Sequence, residues 1–122
     1  MDNKFRYSDE ELGEFDKILD QKIQKAEEEL NYYLRQIKEL AEGGETKLKN
    51  LGDATGNLES ERLQNMAARQ SKLIKHLGNA KMRIKNKVYG ICRESGKLIS
   101  KERLKAVPHA TLSIQAKQNQ RR

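Results

Sequence analysis

One cysteine, one proline and no tryptophan occur in these 122 residues. A single thiol cannot close a disulfide within the chain, so the fold has no covalent staple and a reducing compartment is expected. With Pro108 alone, nearly the whole length lacks the residue that most often interrupts helices. Two Phe and four Tyr are too few for a thick aromatic core. They also do not interleave with basic residues in the pattern that stacks single-stranded nucleic acid. No apolar run approaches the roughly 20 residues of a membrane span. The opening stretch Met1–Glu14 is charged throughout and lacks the apolar run of a signal peptide. A cytoplasmic location without membrane attachment is expected. Catalytic patterns are missing as well: there is no nucleophile–base spacing, no glycine-rich phosphate loop and no paired-carboxylate motif. An enzyme is not expected.

Charge is abundant and unevenly distributed. The net charge of +7 separates into −6 over residues 1–62 and +13 over residues 63–122. An acidic half followed by a basic half can pair internally or meet differently charged surfaces of a partner.

The helical period dominates residues 8–88. Ser8-Asp9-Glu10-Glu11 reads as a capping box, with Tyr7 and Leu12 at the positions of a hydrophobic staple. Residues Met1–Tyr7 read as a short disordered lead. Leu12, Phe15, Leu19, Ile23, Ala26, Leu30, Tyr33, Ile37 and Leu40 then recur in steps of three and four, the spacing of a coiled-coil seam. Gly43-Gly44 ends this helix. A second stripe runs Leu63, Met66, Gln70, Leu73, Leu77, Ala80, Ile84 and Lys87/Val88. The expected architecture is mostly α: a long antiparallel coiled-coil hairpin over 1–89, with helices at about 9–42 and 58–89 joined by a loop at about 43–57. A small module over 90–117 and a basic tail over 118–122 follow. Within the module, Ser100 is placed to cap a short helix that must end near Val107, ahead of Pro108.

Residues Gly90–Lys117 read G-I-C-R-E-S-G-K-L-I-S-K-E-R-L-K-A-V-P-H-A-T-L-S-I-Q-A-K. This stretch resembles the C-terminal zinc-finger module of the DksA/TraR family of bacterial transcription factors, whose pattern is G-x-C-x2-C-G-x2-I-x3-R-L-x-A-x-P-x-A-x-L-C-I-x-C-K. Gly90, Cys92, Gly96, Ile99, Arg103, Leu104, Ala106, Pro108, Ala110, Leu112, Ile114 and Lys117 occupy matching places. At the four ligand positions, however, stand Cys92, Ser95, Ser113 and Ala116. Four converging thiolates or imidazoles hold a structural zinc ion; hydroxyls are poor ligands and a methyl group is none. His109 could add only a second ligand to Cys92. The expected finger is therefore metal-free, with no zinc cofactor, and an apolar cluster of Ile91, Leu98, Ile99, Leu104, Val107, Leu112 and Ile114 replaces the ion's contribution.

Lys72-Leu73-Ile74-Lys75 also matches the family's second helix in sequence and in distance from Cys92. The resemblance implies a non-enzymatic transcription regulator that binds RNA polymerase, with the hairpin tip entering the secondary channel and no DNA sequence being read. Where the family's tip carries Asp-x2-Asp-x-Ala, this chain has Lys49, Gly52 and Ala54, with Asp53 displaced by one place; Asp53, Ala54 and Thr55 are the tip candidates. Of the positions through which relatives bind the alarmone ppGpp in the stringent response, Arg69, Leu73 and Lys117 match, while His76 and Val107 replace basic residues. The resemblance thus implies weak ppGpp binding or none. Two other readings stand beside it: a coiled-coil interaction module without polymerase, and a nucleic-acid binder using the basic half.

Overall fold

The computed structural model describes residues 5–42 and 53–120, with the backbone alone for 53–57. Four helices occupy these residues: α1 (Asp9–Glu42), α2 (Asp53–Lys85), α3 (Lys101–Ala106) and α4 (Ile114–Gln120). The fold is mostly α, and its two long helices pack together. No helix among the described residues is long and apolar enough to cross a membrane.

The chain packs as two units, one of Met1–Ile23 with His76–Arg122 and the other of Gln24–Lys75. Both long helices contribute to each unit. In the first, α1 begins at the expected capping box. The Ser8 N–H donates to Glu11 Oε1 at 2.9 Å, and the Glu11 N–H donates to Ser8 Oγ at 3.1 Å. Leu12, Phe15 and Leu19 of α1 and Leu77 and Ala80 of α2 are all at most 3% exposed. Each large side chain buried this way is worth about 1.5–3 kcal/mol. Lys81 bridges Asp16 and Asp20, and Lys87 pairs with Asp9 at 2.9 Å. These pairs run antiparallel and match the acidic and basic flanks of the two helices. They are exposed, so they set orientation more than stability.

In the second unit, Ala26, Leu63 and Ala67 are buried, while Ile37 and Leu73 are half-buried. Gln70 interrupts the stripe with a buried Oε1 that has no partner. Arg62 donates from Nε to Glu59 Oε1 at 2.8 Å one turn away on α2.

Several boundaries differ from expectation. Helix α2 starts at Asp53 and runs through Gly56 and Asn57, which read as loop and cap; residues 43–52 of the expected loop lie outside the described residues. It also ends at Lys85, four residues before the expected 89. There the Val88 N–H donates to the Arg83 carbonyl at 2.9 Å and the Lys87 N–H to the Ile84 carbonyl at 3.0 Å. This is a Schellman closure, and it requires Lys87 to adopt a left-handed φ of 65°. Residues 118–120 of the expected tail belong to the helix Ile114–Gln120.

Candidate functional site

The finger frame is assembled by backbone hydrogen bonds. Ile91 and Leu98 form an isolated antiparallel bridge. Around it, the Cys92 N–H donates to the Lys97 carbonyl at 2.7 Å, and the Gly96 N–H donates to the Cys92 carbonyl at 2.8 Å. This first knuckle turns at Gly96, whose φ of 73° suits glycine. The Arg93 N–H reaches across to the Thr111 carbonyl at 2.8 Å, fixing the second knuckle beside the first. Between them lies α3, capped as expected by Ser100 Oγ accepting from the Arg103 N–H at 3.2 Å and ending ahead of Val107.

The four positions at which the resemblance expects ligands, Cys92, Ser95, Ser113 and Ala116, come together here. The Cys92 side chain is 1% exposed, and its Sγ stands 3.7 Å from Ser113 Oγ. The Ser113 N–H points at the same sulfur from 3.4 Å. Burial pushes the Cys92 thiol up. Hydrogen bonds from the Ser95 hydroxyl and from the N–H groups of Ser113, Ser95 and Glu94 outweigh it and bring the thiol down to about 6. The sulfur is thus met by neutral donors, which favour its charged form over the thiol. Ser113 has a second duty: its Oγ accepts the Ala116 N–H at 3.1 Å and so caps α4. Ala116 presents a buried methyl group. A cleft beside these residues is lined by Ser95, Ser113, Ala116, Gln115 and Asn119.

This donor set does not fit a structural zinc ion. One sulfur, two hydroxyls and a methyl group supply a single strong ligand, and one hydroxyl is already engaged as a helix cap. Among the described residues no group of three or more His, Cys, Asp or Glu side chains converges as a metal site.

The finger packs on the helices of its own unit through contacts the sequence did not advertise. Tyr7, read as the end of a disordered lead, is 4% exposed, and its hydroxyl donates to the Ile99 carbonyl. Its ring meets Phe15 edge-on at 5.6 Å between centroids, and Phe15 meets Tyr89 at 5.3 Å. The Tyr89 hydroxyl donates to the Pro108 carbonyl at 2.9 Å, and its burial raises the phenol's pKa. Arg83 of α2 donates to the His109 carbonyl at 3.3 Å, and burial lowers its pKa. Arg103 donates from Nε to the Leu112 carbonyl at 2.8 Å. Of the expected apolar cluster, Ile99, Leu104 and Leu112 are buried and Ile91, Leu98 and Val107 half-buried. Ile114, the first residue of α4, is the exception and is 53% exposed.

The remaining expected site residues are scattered. Arg69 is exposed and Leu73 half-buried, both on α2 within the second unit; Lys117 is exposed on α4 within the first. Asp53, Ala54 and Thr55 lie in the first turn of α2, with side chains outside the described residues, as are Lys49 and Gly52 entirely.

Residues 87–118 match the prokaryotic dksA/traR C4-type zinc finger family. That segment is similar to the DksA/TraR-type finger. Over 54 residues the chain is 41% identical to the RNA polymerase-binding transcription factor DksA of two strains of Caulobacter vibrioides. That match covers 44% of this chain and 38% of the relative, so the chain spans well under half the length of the curated relatives it matches. The fold is similar to transcription factor DksA2 from Pseudomonas aeruginosa, with a TM-score of 0.81 and 24% identity, covering 90% of this chain and 82% of that one. Where that C4-type finger calls for four cysteines, the matched segment of this chain contains one, Cys92.

Proposed function

We propose that this chain is a non-enzymatic transcription regulator that binds RNA polymerase through its paired long helices and a metal-free finger. The observation that carries this reading is the match of residues 87–118 to the DksA/TraR finger, continued into a 41% identity with proteins named for polymerase binding. The fold likeness to DksA2 supports it across both helices. The donor set supports the metal-free part, because Cys92 stands with two hydroxyls and the methyl group of Ala116, which leaves one strong ligand. On this reading the protein is cytoplasmic, makes no sequence-specific DNA contact and carries no zinc. The connection between α1 and α2 enters the polymerase secondary channel, with Asp53, Ala54 and Thr55 at or near the tip. Arg69, Leu73 and Lys117 form what is left of a ppGpp site, and the missing basic side chains at His76 and Val107 leave it weak.

The test is a pair of measurements on the full chain: binding to core RNA polymerase and transcription from a responsive promoter. The unmodified chain is expected to bind and to change promoter output. A variant with Asp53→Ala and Thr55→Ala is expected to bind only modestly less well and to lose most of the effect. Polymerase binding with unchanged regulation by that variant would remove channel insertion from the proposal. No polymerase binding by the unmodified chain would overturn the proposal whole.

A further inference from the structure

The chain contains two histidines, and the fold places them against each other. His76 on α2 and His109 in the loop after α3 stack face to face, with centroids 5.7 Å apart and planes 8° from parallel. Next to the stack, Arg83 donates to the His109 carbonyl at 3.3 Å. The Tyr89 hydroxyl fixes the neighbouring Pro108 carbonyl at 2.9 Å. The loop 107–110 is thus held to α2 and to the end of its unit by one ring stack and two hydrogen bonds.

The surroundings of this stack are of one sign. The charged and titratable groups acting on His109 are His76 and Arg83 from α2, Arg103 from α3 and Lys117 from α4, with no carboxylate among them. Its Nδ1 is buried and has no hydrogen-bond partner. An imidazolium carries N–H on both ring nitrogens, so charging His109 would leave at least one buried N–H unsatisfied. It would also set a positive charge among three permanent ones and against a second imidazole. Burial first, and then these cations, hold the His109 pKa below the usual histidine value.

We propose that the His76–His109 stack is a pH-sensitive catch between α2 and the finger, closed while His109 is neutral and released when it takes a proton. The sign follows from linkage. With the folded pKa depressed, the unfolded chain takes up its proton first as pH falls. Stability is complete above the ordinary histidine pKa of about 6.5 and is lost as pH falls below it towards the folded value. Release frees the loop 107–110 and with it the seat of Leu112 and α4. The inference rests on this packing alone and stands whether or not the chain binds polymerase.

The experiment is a histidine-resolved NMR titration of the full chain from about pH 8 to about pH 5, paired with thermal melts across the same range. Because the chain has two histidines, assignment needs only one variant, His76→Phe. His109 is expected to titrate below about 6.5, with the Arg83 and Ala110 amide signals moving at the same midpoint. The melting temperature is expected to fall by several degrees over that range. In His109→Phe, which keeps a ring but cannot titrate, most of that fall should disappear. A His109 midpoint at or above the ordinary value would overturn the proposal, as would an equal fall in the unmodified protein and His109→Phe. Should His109→Phe fail to fold, the midpoint measured on the unmodified chain decides the matter.

Discussion

The ring of Tyr7 occupies the space that any side chain at residue 90 would need. A Cβ built on Gly90 would stand 2.7 Å from Tyr7 Cε2 and 2.8 Å from Cδ2, while the Tyr7 hydroxyl donates to the Ile99 carbonyl. Tyr7, two residues ahead of α1, therefore locks onto the finger's first knuckle from two sides, by shape and by hydrogen bond.

Tyr7→Phe tests the hydrogen bond. The substitution keeps the ring and strands the Ile99 carbonyl, so it should lower stability by about 1–3 kcal/mol in urea or thermal unfolding. Stability equal to that of the unmodified chain would mean the bond contributes nothing.

Gly90→Ala and Gly96→Ala separate packing from backbone strain. Both glycines have positive φ, at 79° and 73°, but a Cβ at Gly96 meets nothing within 4 Å. Gly96→Ala should lose about 1–2 kcal/mol from strain alone. Gly90→Ala adds overpacking against Tyr7 and should lose about 2–5 kcal/mol. Equal losses would remove Tyr7 from the account.

Lys87→Gly should raise stability. Lys87 holds the left-handed position of the α2 closure at φ 65°, where glycine is at ease and other residues are strained by roughly 1–2 kcal/mol. The Lys87–Asp9 pair that is lost is exposed on both sides and offsets little of this. A higher melting temperature for Lys87→Gly than for Lys87→Ala is the expected order, and the reverse order would contradict the closure.

What was legible in the sequence is what local chemistry dictates. Leu12, Phe15, Leu19 and Leu77 announced the seam by spacing, Ser8 and Glu11 announced the start of α1, and Ser100 and Pro108 bracketed α3. The end of α2 was not legible, because Gly90 looked like the natural stop while Lys87 takes the left-handed turn. Its start was obscured by Gly56 and Asn57, whose poor propensities amount to about 1 kcal/mol or less each and yield to the continuing helix. Ser113 is legible only in part. It was visible as a failed ligand, whereas its service as the cap of α4 depends on a helix that a polar segment did not announce. Tyr7 on Ile99 and His76 on His109 are long-range contacts between residues with no shared period, so no pattern along the chain could have paired them.

Restoring the ligands tests the finger frame itself. The four positions already converge, so Ser95→Cys, Ser113→Cys and Ala116→Cys together should bind about one zinc per chain, the stoichiometry of a four-ligand site. A chelator should then lower the variant's melting temperature and leave the unmodified chain unaffected. A triple variant that takes up no zinc would show that the knuckles lack the geometry described.

The central claim, a polymerase-binding regulator that works without a metal, is tested most directly by co-elution. The full chain, purified in the presence of a strong chelator and checked for zinc by elemental analysis, is passed over a sizing column with core RNA polymerase. The account predicts that it elutes with the polymerase in near-equal amount while carrying no zinc. Elution apart from the polymerase, or binding that returns only when zinc is added back, would contradict it.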